Sequence, residues 1–264
     1  MPDVCLQLRP SKKLKKYDRM FDFAERCGFD GVELCAPPFS IDCKRLNLLS
    51  MEHSLPIRSI IAPGPMSTTG ALMHGKSQAM DEIEPDLLVI EVPRASLVNW
   101  PAYHIFKNSV FLFGNTYGKE RIVVENSRPA LLQHPVLDIK KLRDFCYAND
   151  VFVSFDVANC AASGMDILMS CDMLVPRMKN VHFSDYGGRT TGHLAPGKGL
   201  LPLGMLLSRL NEHRYNGLIT IEVDEEEHWC DLDDRLILYS EIVGFIKSYF
   251  ERRAGPPAAT MGTA

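Results

Sequence analysis

Four acidic or imidazole side chains close short apolar runs in the second half of the chain. Glu125 ends Arg-Ile-Val-Val-Glu, Asp156 ends Val-Phe-Val-Ser-Phe-Asp, His182 lies in Asn-Val-His-Phe-Ser-Asp, and Glu222 lies in Leu-Ile-Thr-Ile-Glu-Val-Asp. Successive members are 31, 26 and 40 residues apart, each about one strand–helix unit. If the runs are neighbouring strands of a barrel, their C-terminal ends share one mouth, where barrel enzymes place their chemistry. Three carboxylates crowded in a partly dry mouth repel one another and are driven to protonate. A divalent cation removes that repulsion. One imidazole with three carboxylates is a hard, oxygen-rich donor set suited to Mn²⁺, with Mg²⁺, Co²⁺, Fe²⁺ and Zn²⁺ also compatible. A single Asp or Glu at a strand end is more often a helix cap or half of an ion pair. Four in register on successive strands ask for a common cause.

The elements that must position these groups are visible as alternating short and long patterns. Strands are expected at Val4–Leu8, Gly31–Cys35, Arg58–Ala62, Leu87–Val92, Arg121–Glu125, Val151–Asp156, Asn180–Ser184 and Leu218–Val223. They are rich in Val, Ile, Leu and Phe and lack strict alternation, as parallel strands covered on both faces do. Helical spacing is clear in Leu14–Cys27 (stopped by Gly28), Leu137–Ala148, Leu203–His213 and Leu236–Phe250. Pro63–Glu84 is the least regular stretch and reads as a long loop plus helix over one barrel mouth. Eight strands alternating with helices predict an α/β fold with a parallel sheet. An open doubly wound sheet is the rival, but no GxGxxG follows the first strand. The expected architecture is a single-domain (β/α)8 TIM barrel over residues 1–251, with a disordered Ala/Gly/Pro/Thr tail over 252–264.

Composition narrows the function classes. The 264 residues are 46% hydrophobic and 23% charged, ordinary globular usage. A net charge of −4 gives no basic surplus for nucleic acid. No run of about 18 apolar residues suggests a membrane span, and the lysine-rich start carries no apolar secretory core. Cysteines at 5, 27, 35, 43, 146, 160, 171 and 230 form no CxxC pair. They read as reduced, mostly buried thiols of a cytoplasmic protein.

Several segments together resemble the xylose isomerase-like TIM barrel superfamily, which includes tagatose/psicose 3-epimerase-like enzymes, inosose dehydratases, hydroxypyruvate isomerases and the endonuclease IV group. They are Gly28-Phe-Asp-Gly-Val-Glu33, Val124-Glu125-Asn126, Phe155-Asp156 with Asn159 and Ser163-Gly164, Val181-His182-Phe-Ser-Asp185, His193-Leu-Ala-Pro-Gly197-Lys-Gly199, and Tyr215-Asn-Gly217-Leu-Ile-Thr-Ile-Glu222. The resemblance runs from about residue 4 to residue 250 and is most specific over 121–224. It implies that Glu125, Asp156, His182 and Glu222 hold one divalent metal ion, with the two glutamates also acting as acid/base groups on opposite faces of a substrate. It further implies substrate or supporting contacts for Glu33, Asn159, Arg189 and His193.

The departures carry information too. Asn159 stands where relatives often carry a His, Ala62-Pro63 and Val92-Pro93 replace two further histidines, and Thr191 replaces an Asp two residues before His193. The three-metal set of the endonuclease IV group cannot be assembled from these residues. Gly197 and Gly199 are expected to serve turns that need positive φ. Asp224-Glu-Glu-Glu227 reads as a solvated loop, and Glu91 with Arg94 as an ion pair or a specificity element.

The reading that follows is a metal-dependent isomerase or epimerase of a small polyhydroxylated ketone or aldehyde, working by proton transfer through a metal-bound enediolate. The alternatives are a dehydratase on the same scaffold, an endonuclease IV-like phosphodiesterase, and a degenerate barrel acting as a non-catalytic subunit. Relatives often form dimers or tetramers, so a homo-oligomer is compatible, although no interface can be read from the sequence.

Overall fold

A computed structural model describes residues 1–8, 15–35, 42–62, 78–95, 100–129, 134–188, 192–224 and 232–251. Eight strands carry the fold: β1 (Asp3–Leu8), β2 (Gly31–Cys35), β3 (Ile57–Ala62), β4 (Leu87–Glu91), β5 (Ile122–Glu125), β6 (Phe152–Asp156), β7 (Met178–Phe183) and β8 (Leu218–Ile221). All are parallel, and β1 pairs with β8 as well as with β2, so the sheet closes into a barrel. The strand runs expected from sequence all lie in this barrel, with ends shifted by at most two residues. A two-residue antiparallel ribbon, Arg94–Ala95 with His134–Pro135, lies outside the barrel sheet.

Eight named helices accompany the strands: α1 (Lys15–Arg26), α2 (Cys43–Glu52), α3 (Trp100–Tyr117), α4 (Ile139–Asn149), α5 (Val157–Ala162), α6 (Ile167–Leu174), α7 (Leu203–Glu212) and α8 (Leu232–Glu251). A short helical stretch also occupies 78–83, inside the segment expected to be least regular, while 63–77 lies outside the described residues. The α2, α3, α5 and α6 helices were not among those expected. The 252–264 tail likewise lies outside the described residues, and no described helix is long and apolar enough to cross a membrane.

One device ends five of the helices. Gly28, Ser54, Asp150, Gly164 and Arg214 all adopt left-handed φ, between 52° and 79°. At each, the left-handed residue's N–H bonds back three residues and the next N–H bonds back five, as in Arg214 N to Asn211 O (3.0 Å) and Tyr215 N to Leu210 O (2.9 Å). This is the Schellman stop, and the residue after it is commonly apolar. Here Phe29, Leu55, Val151 and Tyr215 follow and are buried, turning the chain back toward the barrel. Aspartates open helices in the same repetitive way: Asp42, Asp138, Asp156 and Asp166 each accept a first-turn N–H.

Side chains alternate between the barrel lumen and the surrounding helices. Cys5, Ile61, Leu87, Val89, Val123 and Leu218 form an apolar cluster inside the barrel. Gln7, Glu33, Ser59, Asn180 and Thr220 add a buried polar layer to the lumen. At the strand N-termini, Arg58 bonds Asp3 and Asp86, and Lys247 reaches Asp30 at 2.7 Å. That end of a barrel serves stability, which leaves the opposite end for chemistry.

Arg214 is exposed and takes the left-handed position that glycine fills most cheaply. Arg214→Gly is expected to raise stability by roughly 0.5–1 kcal/mol, since the strain relieved exceeds the added chain entropy. A urea unfolding midpoint that falls, rather than rises, would contradict this account of the junction.

Candidate functional site

The β5, β6, β7 and β8 strands deliver Glu125, Asp156, His182 and Glu222 to one place at the C-terminal mouth. One ligand atom from each lies within 4.8 Å of all the others, and all four residues are buried. Adjacent register explains the convergence: Asp156 sits beside His182, which sits beside Thr220, two positions before Glu222. His182 is the centre. Its Nδ1 lies 2.9 Å from Glu125 Oε1 and 3.0 Å from Glu222 Oε2, and its Nε2 lies 2.9 Å from Glu33 Oε1. The Glu33 contact is short but poorly aligned as a hydrogen bond, and Nε2 has no other partner among the described residues.

Burial alone would strip the proton from His182, but Glu33 and Glu125, with a contact from Glu222, outweigh it and hold the imidazole pKa well above its usual value. Burial pushes the Glu125 carboxyl well above the ordinary range. His182 opposes that shift, and the nearby Glu222 and Asp156 charges add to it. Five carboxylates (Glu33, Glu125, Asp156, Glu222, Asp224) gather around two imidazoles (His182, His193). Negative charge is therefore in excess even with both rings protonated. Glu125 Oε2 is buried with no hydrogen-bond partner among the described residues. An unpartnered carboxylate oxygen in a negatively overloaded pocket, beside an imidazole and two more carboxylates, fits a hard divalent cation.

The scaffolding of these groups is specific. Asn126 clamps the β6 end: its Oδ1 accepts from Asp156 N and its Nδ2 donates to Asp156 O, both at 2.8 Å. Asp156 Oδ1 caps α5 through Asn159 N at 2.8 Å, which leaves Oδ2 facing His193 Nε2 at 3.0 Å. The Asn159 side chain donates to Asn126 O at 3.2 Å, so it ties the β5 and β6 ends together. Glu33, considered from sequence for substrate contact, is fully buried below the cluster, where Gln7, Ser59 and Asn180 donate to it. Its side chain has no exposed surface. Arg189 lies outside the described residues.

His193 does reach the cluster. Burial opposes its charge, but Glu222, Asp156 and Asp224 push its pKa up to about 11. Asp224, expected in a solvated loop, accepts from His193 N at 2.8 Å and lies 3.3 Å from Nδ1. Gly192 makes this approach feasible, because a Cβ there would meet Asp224 Oδ2 at 1.9 Å. Among the described residues that follow β7, Asp185 is the organiser: its carboxylate accepts from Tyr186 N, Gly197 N and Leu201 N at 2.8–3.0 Å. Gly197 has the expected positive φ of 88°. Gly199 does not; it is required by close approach, since a Cβ would lie 2.3 Å from Asp185 Oδ1. Glu91 and Arg94 form an ion pair at 3.8 Å.

Asn126, Asp185 and Asp224 had no assigned role in the sequence. Asn126 and Asp185 stand in the strand-end motifs beside Glu125 and His182, and that adjacency was the available signal. Asp224 was hidden inside a run of acids.

Comparison with known proteins bears on the same region. Residues 113–248 match the family model described as xylose isomerase-like TIM barrel. No curated protein matched the chain. Among solved structures, L-ribulose 3-epimerase superposes with a TM-score of 0.72 at 14% identity, covering 100% of both chains. D-Allulose 3-epimerase from Methylomonas sp., in complex with D-allulose, gives 0.71 at 15% identity over 94% of this chain and 97% of that one. The 3-keto-D-glucoside 4-epimerase from E. coli gives 0.70 at 14% identity over 94% and 100%. At such identities the likeness is one of fold.

Asn126→Ala removes both partners of the buried Asp156 peptide groups, each worth about 1–3 kcal/mol when left unsatisfied. The expected loss of stability is about 2–4 kcal/mol in urea unfolding. A loss below about 0.5 kcal/mol, the usual scale for surface positions, would remove the clamp from the account.

Proposed function

The chain belongs to the xylose isomerase-like TIM barrel family, and from that premise we propose that it is a divalent-metal-dependent isomerase or epimerase of small polyhydroxylated ketones, aldehydes or related hydroxy-keto compounds. The observation that carries the reading is the buried quartet Glu125, Asp156, His182 and Glu222, with donor atoms within 4.8 Å of one another. These four would hold the ion, with Mn²⁺ the best match to the donor set and Mg²⁺, Co²⁺, Fe²⁺ or Zn²⁺ compatible. When bound, the ion supplies positive charge that polarises a substrate carbonyl and eases loss of the neighbouring proton.

The protein's own groups do the proton chemistry. Glu125 and Glu222 come from non-adjacent strands, β5 and the end of β8, and both approach Nδ1 of His182. One, as carboxylate, takes the proton next to the carbonyl and becomes the acid. The charge left on the substrate is that of an enediolate. A proton then returns from the other glutamate, or from the same one. Return to the opposite face of the same carbon epimerises it; return to the neighbouring carbon, with a proton passing from one oxygen to the other, isomerises the sugar. Asp156 and His182 stay in place as holders, fixed by Asn126, His193 and Glu33. His193, with Asp224 behind it, completes the rim where substrate hydroxyls would lie. Loss of a β-hydroxyl from the same carbanion would give a dehydratase outcome, which the following assay also reads.

Elemental analysis of the purified protein is expected to find about one divalent ion per chain. Proton NMR in D2O over a panel of ketoses, inososes and hydroxy-keto acids is expected to show exchange of one α-proton. Glu125→Gln and Glu222→Gln are each expected to slow that exchange by about 10²–10⁴-fold, the usual contribution of a positioned acid or base. Exchange at wild-type rate in both variants would eliminate them as bases. A protein with no stoichiometric cation and no exchange would instead be a non-catalytic barrel.

A further inference from the structure

We propose that Glu33 is a positioning residue that decides which nitrogen of His182 faces the cation. The inference rests on the quartet being a cation site. Glu33 is fully buried, on β2, opposite the strands that bring the quartet. Its place in the lumen is built rather than incidental. Ser59 Oγ and Asn180 Nδ2 both donate to Oε2, at 2.6 and 3.2 Å, and Gln7 Nε2 donates to Oε1 at 2.9 Å. Thr220 Oγ1 in turn donates to Asn180 Oδ1 at 2.9 Å, which leaves the Asn180 amide nitrogen turned to Glu33. Four strands besides β2 therefore contribute to holding one carboxylate.

That carboxylate meets the edge of His182 opposite to Glu125 and Glu222. Nε2 lies 2.9 Å from Glu33 Oε1, while Nδ1 lies 2.9 and 3.0 Å from the two glutamates of the quartet. A carboxylate can only accept, so it draws an N–H at Nε2. The Nδ1 lone pair is then left for the ion, the usual arrangement in which an outer carboxylate orients a metal-binding histidine.

Glu33→Gln tests this sharply because the shape is kept and one oxygen becomes an NH2. The Oε2 site receives two donors, so the amide oxygen belongs there. The NH2 then falls at the Oε1 site, donor against donor with His182 Nε2. Relief comes from moving the ring proton to Nδ1, where it blocks the ion. The expected result is a 10- to 100-fold weaker Mn²⁺ dissociation constant by calorimetry, with a circular dichroism spectrum like that of wild type. Binding within threefold of wild type would overturn the proposal while leaving the cation site standing. Wild-type protein that takes up no Mn²⁺ would overturn the cation site itself, and this inference with it. A second measurement does not depend on the Glu33 variant. In the Zn²⁺-loaded wild type, ¹⁵N NMR of the His182 ring, assigned by the resonance lost in His182→Gln, should show the proton on Nε2. A proton on Nδ1 would overturn the proposal.

Discussion

The imidazole of His182, held between Glu33 on one edge and Glu125 with Glu222 on the other, is the contact around which the upper half of the barrel is arranged. Removing charges from water costs several kcal/mol per ion, and the cost is met only when geometry and further hydrogen bonds are good. The sequence meets that demand with polar residues at lumen-facing positions that would otherwise be aliphatic: Gln7, Ser59, Asn180 and Thr220. The apolar cluster of Cys5, Val89, Val123 and Leu218 packs the lumen alongside this layer. The barrel interior is thus divided between packing and electrostatics.

Above the quartet, residues 192–201 after β7 are held by a further buried carboxylate. Asp185 gathers three backbone N–H groups and, through its own N–H and C=O, pairs with Leu194. That brings His193 down onto Asp156 and its main chain against Asp224, so the β6, β7 and β8 ends are tied by one histidine. Asn126 ties the β5 end to β6 from the other side. None of these residues needs to touch a substrate to govern how closely the four donor groups can approach one another.

The strands were legible because burial on both faces forces continuous runs of Val, Ile, Leu and Phe, and those runs survive any loop variation. Their polar endings revealed the quartet for the same reason: a carboxylate terminating such a run must face the mouth or a cap. Asp156 does both, with one oxygen on each task. The helices were less legible. In α3, Phe111 and Leu112 are exposed while Phe106 and Phe113 are buried, so the apolar stripe is blurred. The α5 helix spans only six residues, too few for a period to show. Asp224 is exposed, as expected for a run of acids, but its hold on His193 was not legible because the partner is 31 residues away and composition carries no trace of such a contact. Gly199 was misread because turn glycines and glycines that make room for a neighbour look identical in a sequence.

The lumen's polar layer has a bearing on how the molecule assembles. Glu33 from the first quarter of the chain depends on Asn180 from the third, and Asn180 depends on Thr220 from the last. A fragment containing only the early strands would leave a desolvated carboxylate with part of its donors missing, and a fragment of the late strands would hold His182 without its lower counter-charge. Neither half is self-sufficient. The ring should therefore form as one concerted event in which the first and last strands zip together, and separately expressed halves should recover native structure only in each other's company.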